Sequence, residues 1–235
     1  MKEIYLVRHA QASFGRKNYD RLSALGIRQA EILGDHFVSL GLKFDGIFSG
    51  SMERQIDTAQ TVISRFSEVG AKLRLNVIEA FNEFDSSSII MTQVADMVRE
   101  DPSISKALPN VYKDRRTFQF VFDRAVMRWM SGRQEVSAVE SLGTFTRRVY
   151  AGIANVVEDT GRKDRIAIFT SGGTISAAMQ IALGLSTEKA IGLAWQIGNT
   201  SVSSFYYGEK GLGLLSFNSL VHLELREEPE LITYL

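Results

Sequence analysis

The sequence predicts an α/β protein: a three-layer α/β/α sandwich whose mainly parallel sheet carries an antiparallel edge strand and a helical lid insertion. Three observations point there. Short β-prone runs, IYLV at 4–7, DGIFSG at 45–50 and RIAIF at 165–169, alternate with long amphipathic stretches. Residues 86–138 break that rhythm with helix after helix. Near the end, SVSSFYYGEKGLGLLSFN reads as a hairpin turning around Gly208 to Gly213.

IYLV is the first strand. In the next stretch Ile27, Ala30, Leu33, Phe37 and Leu40 recur at spacings of three and four, an amphipathic helix capped by Ser23 and stopped by Gly41. After DGIFSG, a second helix places Met52, Ile56, Ala59, Val62, Ile63 and Phe66 on one face. KLRLNVIEAF alternates like a third strand. Within 86–138, Phe118, Phe120, Phe122 and Trp129 are open to two readings, an apolar substrate face or ordinary core. From 139 a helix with Leu142, Phe145, Val149, Ile153 and Val156 inward returns the chain to RIAIF and to the helical TISAAMQIALGL, which ends near Gly184. One domain over 1–235 is expected, with 86–138 inserted as a helical cap.

Composition removes several function classes. The 235 residues carry 27 Lys+Arg and 27 Asp+Glu, so no global field draws the chain to nucleic acid or to an anionic membrane. There is no cysteine, hence no disulfide framework, thiol nucleophile or cysteine-ligated metal. No His or carboxylate spacing suggests a metal site. No apolar run approaches the roughly 18 residues of a membrane span, and the opening run is short for a signal peptide. The expectation is a cytoplasmic protein without cofactor, acting on a small molecule, with a homodimer left open.

In open α/β sheets ligands bind where strands end and loops lead into helices. Four stretches deliver polar groups there: Arg8 and His9 after the first strand, Arg54 in FSGSMER, Glu83 in FNEFD, and Thr170 with Ser171 in FTSGG. Two guanidiniums, an imidazole and a carboxylic acid suit a phosphomonoester. Arginine neutralises and orients phosphate, histidine can attack phosphorus, and the acid can protonate the departing oxygen. Gly172 and Gly173 add backbone amides at a helix start, a natural anion site.

Taken in order, LVRHAQASFG with DRLSALGIRQA, SGSMERQIDTAQTV, AFNEFD and IAIFTSGGTI resemble the motifs of the histidine phosphatase superfamily, the phosphoglycerate mutase-like proteins. The resemblance covers the chain apart from the helical insertion. It implies a metal-independent phosphatase acting through phosphohistidine on His9, with Arg8 and Arg54 on the phosphate and Glu83 as proton donor. Two departures stand out: Ala10 and Gln11 replace the usual Gly and Glu, and Ser171 stands where most members carry a second histidine. A serine hydroxyl supplies a hydrogen bond but no positive charge. Ser171 reads equally as a helix N-cap or a ligand contact, and Ser13 is a further candidate from the loop after His9. Asp85 lies two residues from Glu83, His222 is a possible stand-in for the second histidine with a structural role favoured, and His36 reads as a surface or interface residue. The alternatives are a catalytically weakened phosphate-binding or regulatory protein and, behind it, a phosphoglycerate mutase-like phosphotransferase.

Overall fold

The computed structural model describes residues 2–13, 20–111, 113–130, 139–159 and 165–234. In chain order the elements are β1 (Lys2–Arg8), α1 (Ala24–Ser39), β2 (Gly46–Ser49), α2 (Glu53–Glu68), β3 (Leu75–Val77), α3 (Ser86–Glu100), α4 (Ser103–Ala107), α5 (Arg115–Met130), α6 (Leu142–Asp159), β4 (Arg165–Thr170), α7 (Gly172–Leu183), α8 (Thr187–Ala194), β5 (Val202–Gly208), β6 (Gly211–Ser219) and α9 (Val221–Glu224). The six strands form one sheet in the order β3-β2-β4-β1-β5-β6. The first four are parallel, and β5 runs antiparallel to both its neighbours. The predicted hairpin is therefore β5–β6, with β6 at the edge and the antiparallel β5 one place inside it.

Two compact units are present. The first comprises Met1–Ser13, Asp20–Glu83 and Arg148–Leu235, and holds the sheet. Strand alternation sorts its apolar side chains onto two faces. Val7, Ala167 and Phe169 cluster with Leu33 and Phe37 of α1 and with Ala59, Val62 and Phe66 of α2. Their neighbours Ile4, Leu6, Ile166 and Ile168 are equally buried on the alternate positions.

Ser23 caps α1 as expected, its hydroxyl accepting from Gly26 N, and Gly41 past the helix end takes φ +64°, the left-handed conformation that favours glycine. Two expected inward residues, Ile27 and Leu40, are exposed, while Gly26, Gln29 and Gly34 are buried. The buried face thus runs through Gly26, Gln29, Ala30, Leu33 and Phe37 and includes a polar side chain. The third strand is also shorter than expected. β3 pairs only with the four-residue β2, and the chain then turns through a 3-10 helix over Glu79–Phe81, where the Phe81 carbonyl accepts from Thr170 Oγ1 at 2.6 Å.

The second unit includes Phe84–Arg147; residues 131–138, the end of the predicted cap, lie outside the described residues. Here α3 packs on α5. Three of the four named aromatic residues pack together in this unit. Phe122 stacks on Phe118 and on Phe84, and Trp129 and Phe145 also lie against Phe84. Phe120 alone of the four named aromatics is open to solvent, with the Arg124 guanidinium 3.7 Å from its ring centre. Core packing is thus the better of the two readings for this set.

Candidate active site

The carboxyl ends of β1 and β4 lie side by side, so His9 follows Arg8 directly beside Thr170, whose carbonyl accepts from His9 N at 2.8 Å. The imidazole is buried. Its Nδ1 lies 2.8 Å from the Ala10 carbonyl, which can only accept, so the proton sits on Nδ1 and Nε2 carries the lone pair. Arg54 Nε donates to that Nε2 at 3.1 Å, consistent with the same tautomer. Burial first, then the charges of Arg54 and Arg8, hold the pKa of His9 well below the usual histidine value, against a weaker opposing effect of the Ala10 bond. His9 is a neutral imidazole with an unprotonated Nε2 between two cations.

The residues after His9 explain the DRLSALGIRQA motif in physical terms. Ser23 N and Ser23 Oγ bond to the carbonyl and side-chain oxygens of Gln11, at 2.9 and 2.7 Å. A Cβ added at Gly26 would sit 2.1 Å from the Gln11 carbonyl oxygen, so only glycine allows α1 this close to the turn. Gln29 reaches back one helical turn further on, its Oε1 accepting from Gln11 N at 2.9 Å. Ala10 N donates to Thr58 Oγ1 at 3.0 Å, and Thr58 donates in turn to the Arg54 carbonyl.

Arg54 is the second residue of α2 and is buried. Its Nη1 pairs with the Asp20 carboxylate, whose other oxygen accepts from Glu53 N at 2.7 Å. Asp20 therefore caps α2 and orients Arg54 at once. Asp20 opens the DRLSALGIRQA stretch, and its pairing with Arg54 is visible only in the fold. Arg8, also buried, commits Nη1 to the carbonyls of Ile197 and Tyr234, which fixes the plane of its guanidinium.

At the end of β4, Ser171 occupies the N-cap position of α7 but makes no side-chain capping bond. Its hydroxyl oxygen instead accepts from Gln55 Nε2 at 2.8 Å. Gln55 thus takes the acceptor side of Ser171 and leaves its proton to be donated elsewhere. The expected pair of open amides at Gly172 and Gly173 is half corrected, since Gly173 N donates to Glu83 Oε2 at 2.8 Å. Gly172 lies against the Ala194 carbonyl, where an added Cβ would come within 3.2 Å. The loop carrying Glu83 is held by Arg148, whose Nη1 donates to the carbonyls of Glu79, Ala80 and Asn82. Asp85 is spent differently. It caps α3 through Ser88, whose hydroxyl bond is the main cause holding its pKa below the ordinary aspartate value. Ser13 is placed by its backbone, N to the Arg21 carbonyl at 2.8 Å, and no described bond joins its hydroxyl to this group.

His222 is buried at the start of α9. Its Nε2 lies 3.0 Å from Thr200 Oγ1, and its ring centre 5.9 Å from that of His36. Thr200 donates its own proton to the Asn199 carbonyl, so His222 donates to Thr200. Burial, followed by the nearby His36, pushes its pKa down to about 3. Below the unfolded value the unfolded state takes up the proton first, so stability present above about pH 6.5 is lost as pH falls. Going from about pH 7.5 to about pH 5 should cost about 2 kcal/mol through this residue alone. Urea unfolding at the two pH values checks it: His222→Gln should flatten the dependence by that share.

Among the described residues no group of three or more His, Asp and Glu could hold a metal ion, and no helix is long and apolar enough to cross a membrane. A sheet with a histidine between two arginines at its carboxyl edge defines a class, and the sequence comparison agrees. The family description of the histidine phosphatase superfamily (branch 1) matches residues 4–220. The chain belongs to that superfamily.

Among curated proteins, the mitochondrial serine/threonine-protein phosphatase PGAM5 of Homo sapiens is 46% identical over 66 residues, which is 27% of this chain and 22% of that protein's length. The match thus spans well under two thirds of that relative. "Putative phosphoserine phosphatase 2" of Hydrogenobacter thermophilus is 25% identical over 234 residues, 94% of this chain and 98% of that one. Among solved structures, a mutant phosphoserine phosphatase from Entamoeba histolytica in complex with phosphoserine superposes with a TM-score of 0.65. It shares 19% identity and the match covers 95% of this chain and all of that one, a likeness of fold.

Proposed function

We propose that this chain hydrolyses a small phosphomonoester through a phosphohistidine on His9, without metal. The observation that carries the reading is the state of His9: the proton on Nδ1 and the lone pair on Nε2, buried and neutral between Arg8 and Arg54. As the phosphate enters, Arg54 Nε gives up its bond to Nε2 and turns its N–H to a phosphoryl oxygen. The freed Nε2 lone pair attacks phosphorus while Arg8 and Arg54, with the Ser171 hydroxyl and the Gly172 amide, hold the phosphoryl oxygens. The bond from phosphorus to the ester oxygen breaks, and Glu83 gives that oxygen a proton. Glu83 then takes a proton from water, which attacks phosphorus; the P–N bond breaks and Nε2 recovers its lone pair. Ser13 is retained as an outer contact to the substrate.

Glu83 is favoured over Asp85 because Asp85 is committed to capping α3 and held below its ordinary pKa. Glu83 Oε2 accepts from Gly173 N, which holds the carboxyl group at the start of α7 beside Ser171. In Glu83→Gln, kcat/KM on an alkyl phosphate should fall by about 10² to 10⁴, the usual worth of a positioned acid, and far less on an aryl phosphate. Equal losses on both substrates would remove Glu83 from the acid role.

The substrate screen begins with phosphoserine and other small phosphate esters of hydroxylated metabolites, in keeping with the substrate named for the Entamoeba relative. Ser171 supports one competing reading, a phosphate-binding protein of weakened activity. Aryl phosphate turnover with and without chelator, beside inorganic phosphate titration, separates the two. Chelator-resistant turnover supports the phosphatase; phosphate binding without turnover supports the alternative.

A further inference from the structure

We propose that Thr233 is a positioning residue for the nucleophile, its single hydroxyl closing a ring of hydrogen bonds that grips both ends of the turn His9–Ala10–Gln11. The proposal rests on the reading of His9 as nucleophile. Thr233 lies more than two hundred positions from His9 in the chain. It and Asn199 stand outside the motifs that mark the site, whereas Gln29 belongs to the DRLSALGIRQA stretch.

One arm of the ring runs through Asn199, which is fully buried. Its Nδ2 donates to the His9 carbonyl at 3.0 Å and its Oδ1 accepts from Thr233 Oγ1 at 2.9 Å. Its backbone N also donates to the Thr233 carbonyl at 2.8 Å. The other arm runs through Gln29, equally buried. Gln29 Oε1 accepts from Gln11 N at 2.9 Å, and its Nε2 donates to Thr233 Oγ1 at 2.8 Å and to the Leu231 carbonyl at 2.7 Å.

The chemistry of the end groups settles which way each amide points. The His9 carbonyl can only accept, so Asn199 must offer it the NH₂ and turn its oxygen to Thr233. The Gln11 N–H can only donate, so Gln29 must offer it oxygen and turn its NH₂ to Thr233. Thr233 therefore has to donate to one amide and accept from the other. A hydroxyl does both, a methyl neither. In such a network each bond orients the next, so losing the hydroxyl takes one bond from each amide and loosens its hold on its end of the turn.

Two neighbouring features converge on the same segment. Thr200, a β-branched residue at φ +58°, donates its N–H to the Arg8 carbonyl at 3.1 Å, a conformation that persists only where its surroundings hold it. Tyr234, next to Thr233, supplies one of the carbonyls that orient the Arg8 guanidinium. The segment 231–234 thus reaches Arg8 directly and His9 and Gln11 through one amide each.

The test compares Thr233→Val, which keeps the shape and removes the hydroxyl, with Thr233→Ser, which keeps the hydroxyl. Activity per folded molecule is followed on an aryl phosphate, together with hydrogen exchange at the Gln11 amide. In Thr233→Val, kcat should fall by roughly tenfold to a hundredfold, as for a nucleophile displaced by a fraction of an ångström to one ångström, with KM changed less. Exchange at Gln11 should accelerate, and Thr233→Ser should restore both. An unchanged kcat in the valine variant, or a serine variant as impaired as the valine one, would overturn the proposal. If wild type and His9→Ala prove equally active, the nucleophile assignment is what fails. Gln11 exchange then decides the ring by itself, and protection unchanged in Thr233→Val overturns it.

Discussion

His9→Ala is expected to lower kcat on an aryl phosphate by on the order of 10⁴ or more, the scale on which removing a covalent nucleophile acts. Inorganic phosphate should bind the variant with an affinity within about tenfold of wild type. The asymmetry follows from the geometry. His9 is neutral, and in the proposed mechanism it contributes a lone pair while the charge that holds the anion comes from Arg8 and Arg54. A loss shared equally between binding and turnover would mark His9 as a phosphate ligand. Steady-state kinetics beside isothermal titration with phosphate separates the two.

The second large effect is expected at Arg54. Arg54→Gln should lower kcat/KM by on the order of 10³, in line with arginines that clamp a transferring phosphoryl group. Three roles are lost together: the charge on the phosphate, the Nε bond to His9 Nε2, and the partner of Asp20. The pH profile should move as well, and its direction is fixed. Arg54 is the larger of the two charge effects that depress the pKa of His9, so its removal lets that pKa rise toward the ordinary value. Only the neutral imidazole attacks, so the acid limb of kcat/KM should shift to higher pH in the variant. An unmoved or lowered limb would separate Arg54 from the state of His9. Arg54→Lys should not restore activity, because an ammonium keeps the charge without the planar donor that meets Nε2.

Much of this arrangement is legible from residue order alone. The sheet announces itself in short apolar runs, α1 in the Ser23 cap and Gly41, and the hairpin in the glycines around its turn. The four strand-end stretches naming Arg8, His9, Arg54, Glu83 and Ser171 can be placed at one edge by the general geometry of parallel sheets. What resists is whatever depends on a partner distant in sequence. Gln29 sits in a helical pattern where a polar residue reads as solvent-facing, and only the fold brings Gln11 and Thr233 to it. Gln55 is hidden for the same reason: its significance is the Ser171 hydroxyl, more than a hundred residues on. Gly173 looks like an open amide until Glu83 is seen beside it. The shortness of β3 is likewise set by β2, the strand it must pair with, and not by its own alternating sequence.

The claim on which the account turns is that phosphorus is bonded to His9 during turnover. Wild-type protein would be mixed rapidly with an aryl phosphate labelled on phosphorus, quenched in alkali, where phosphohistidine survives, and the peptides analysed. The good leaving group makes formation of the intermediate fast relative to its breakdown. The account predicts label on His9 that is lost in acid, a burst of phenol matching it, and neither in His9→Ala. Turnover with the label on Ser171, or with none on His9, would contradict it.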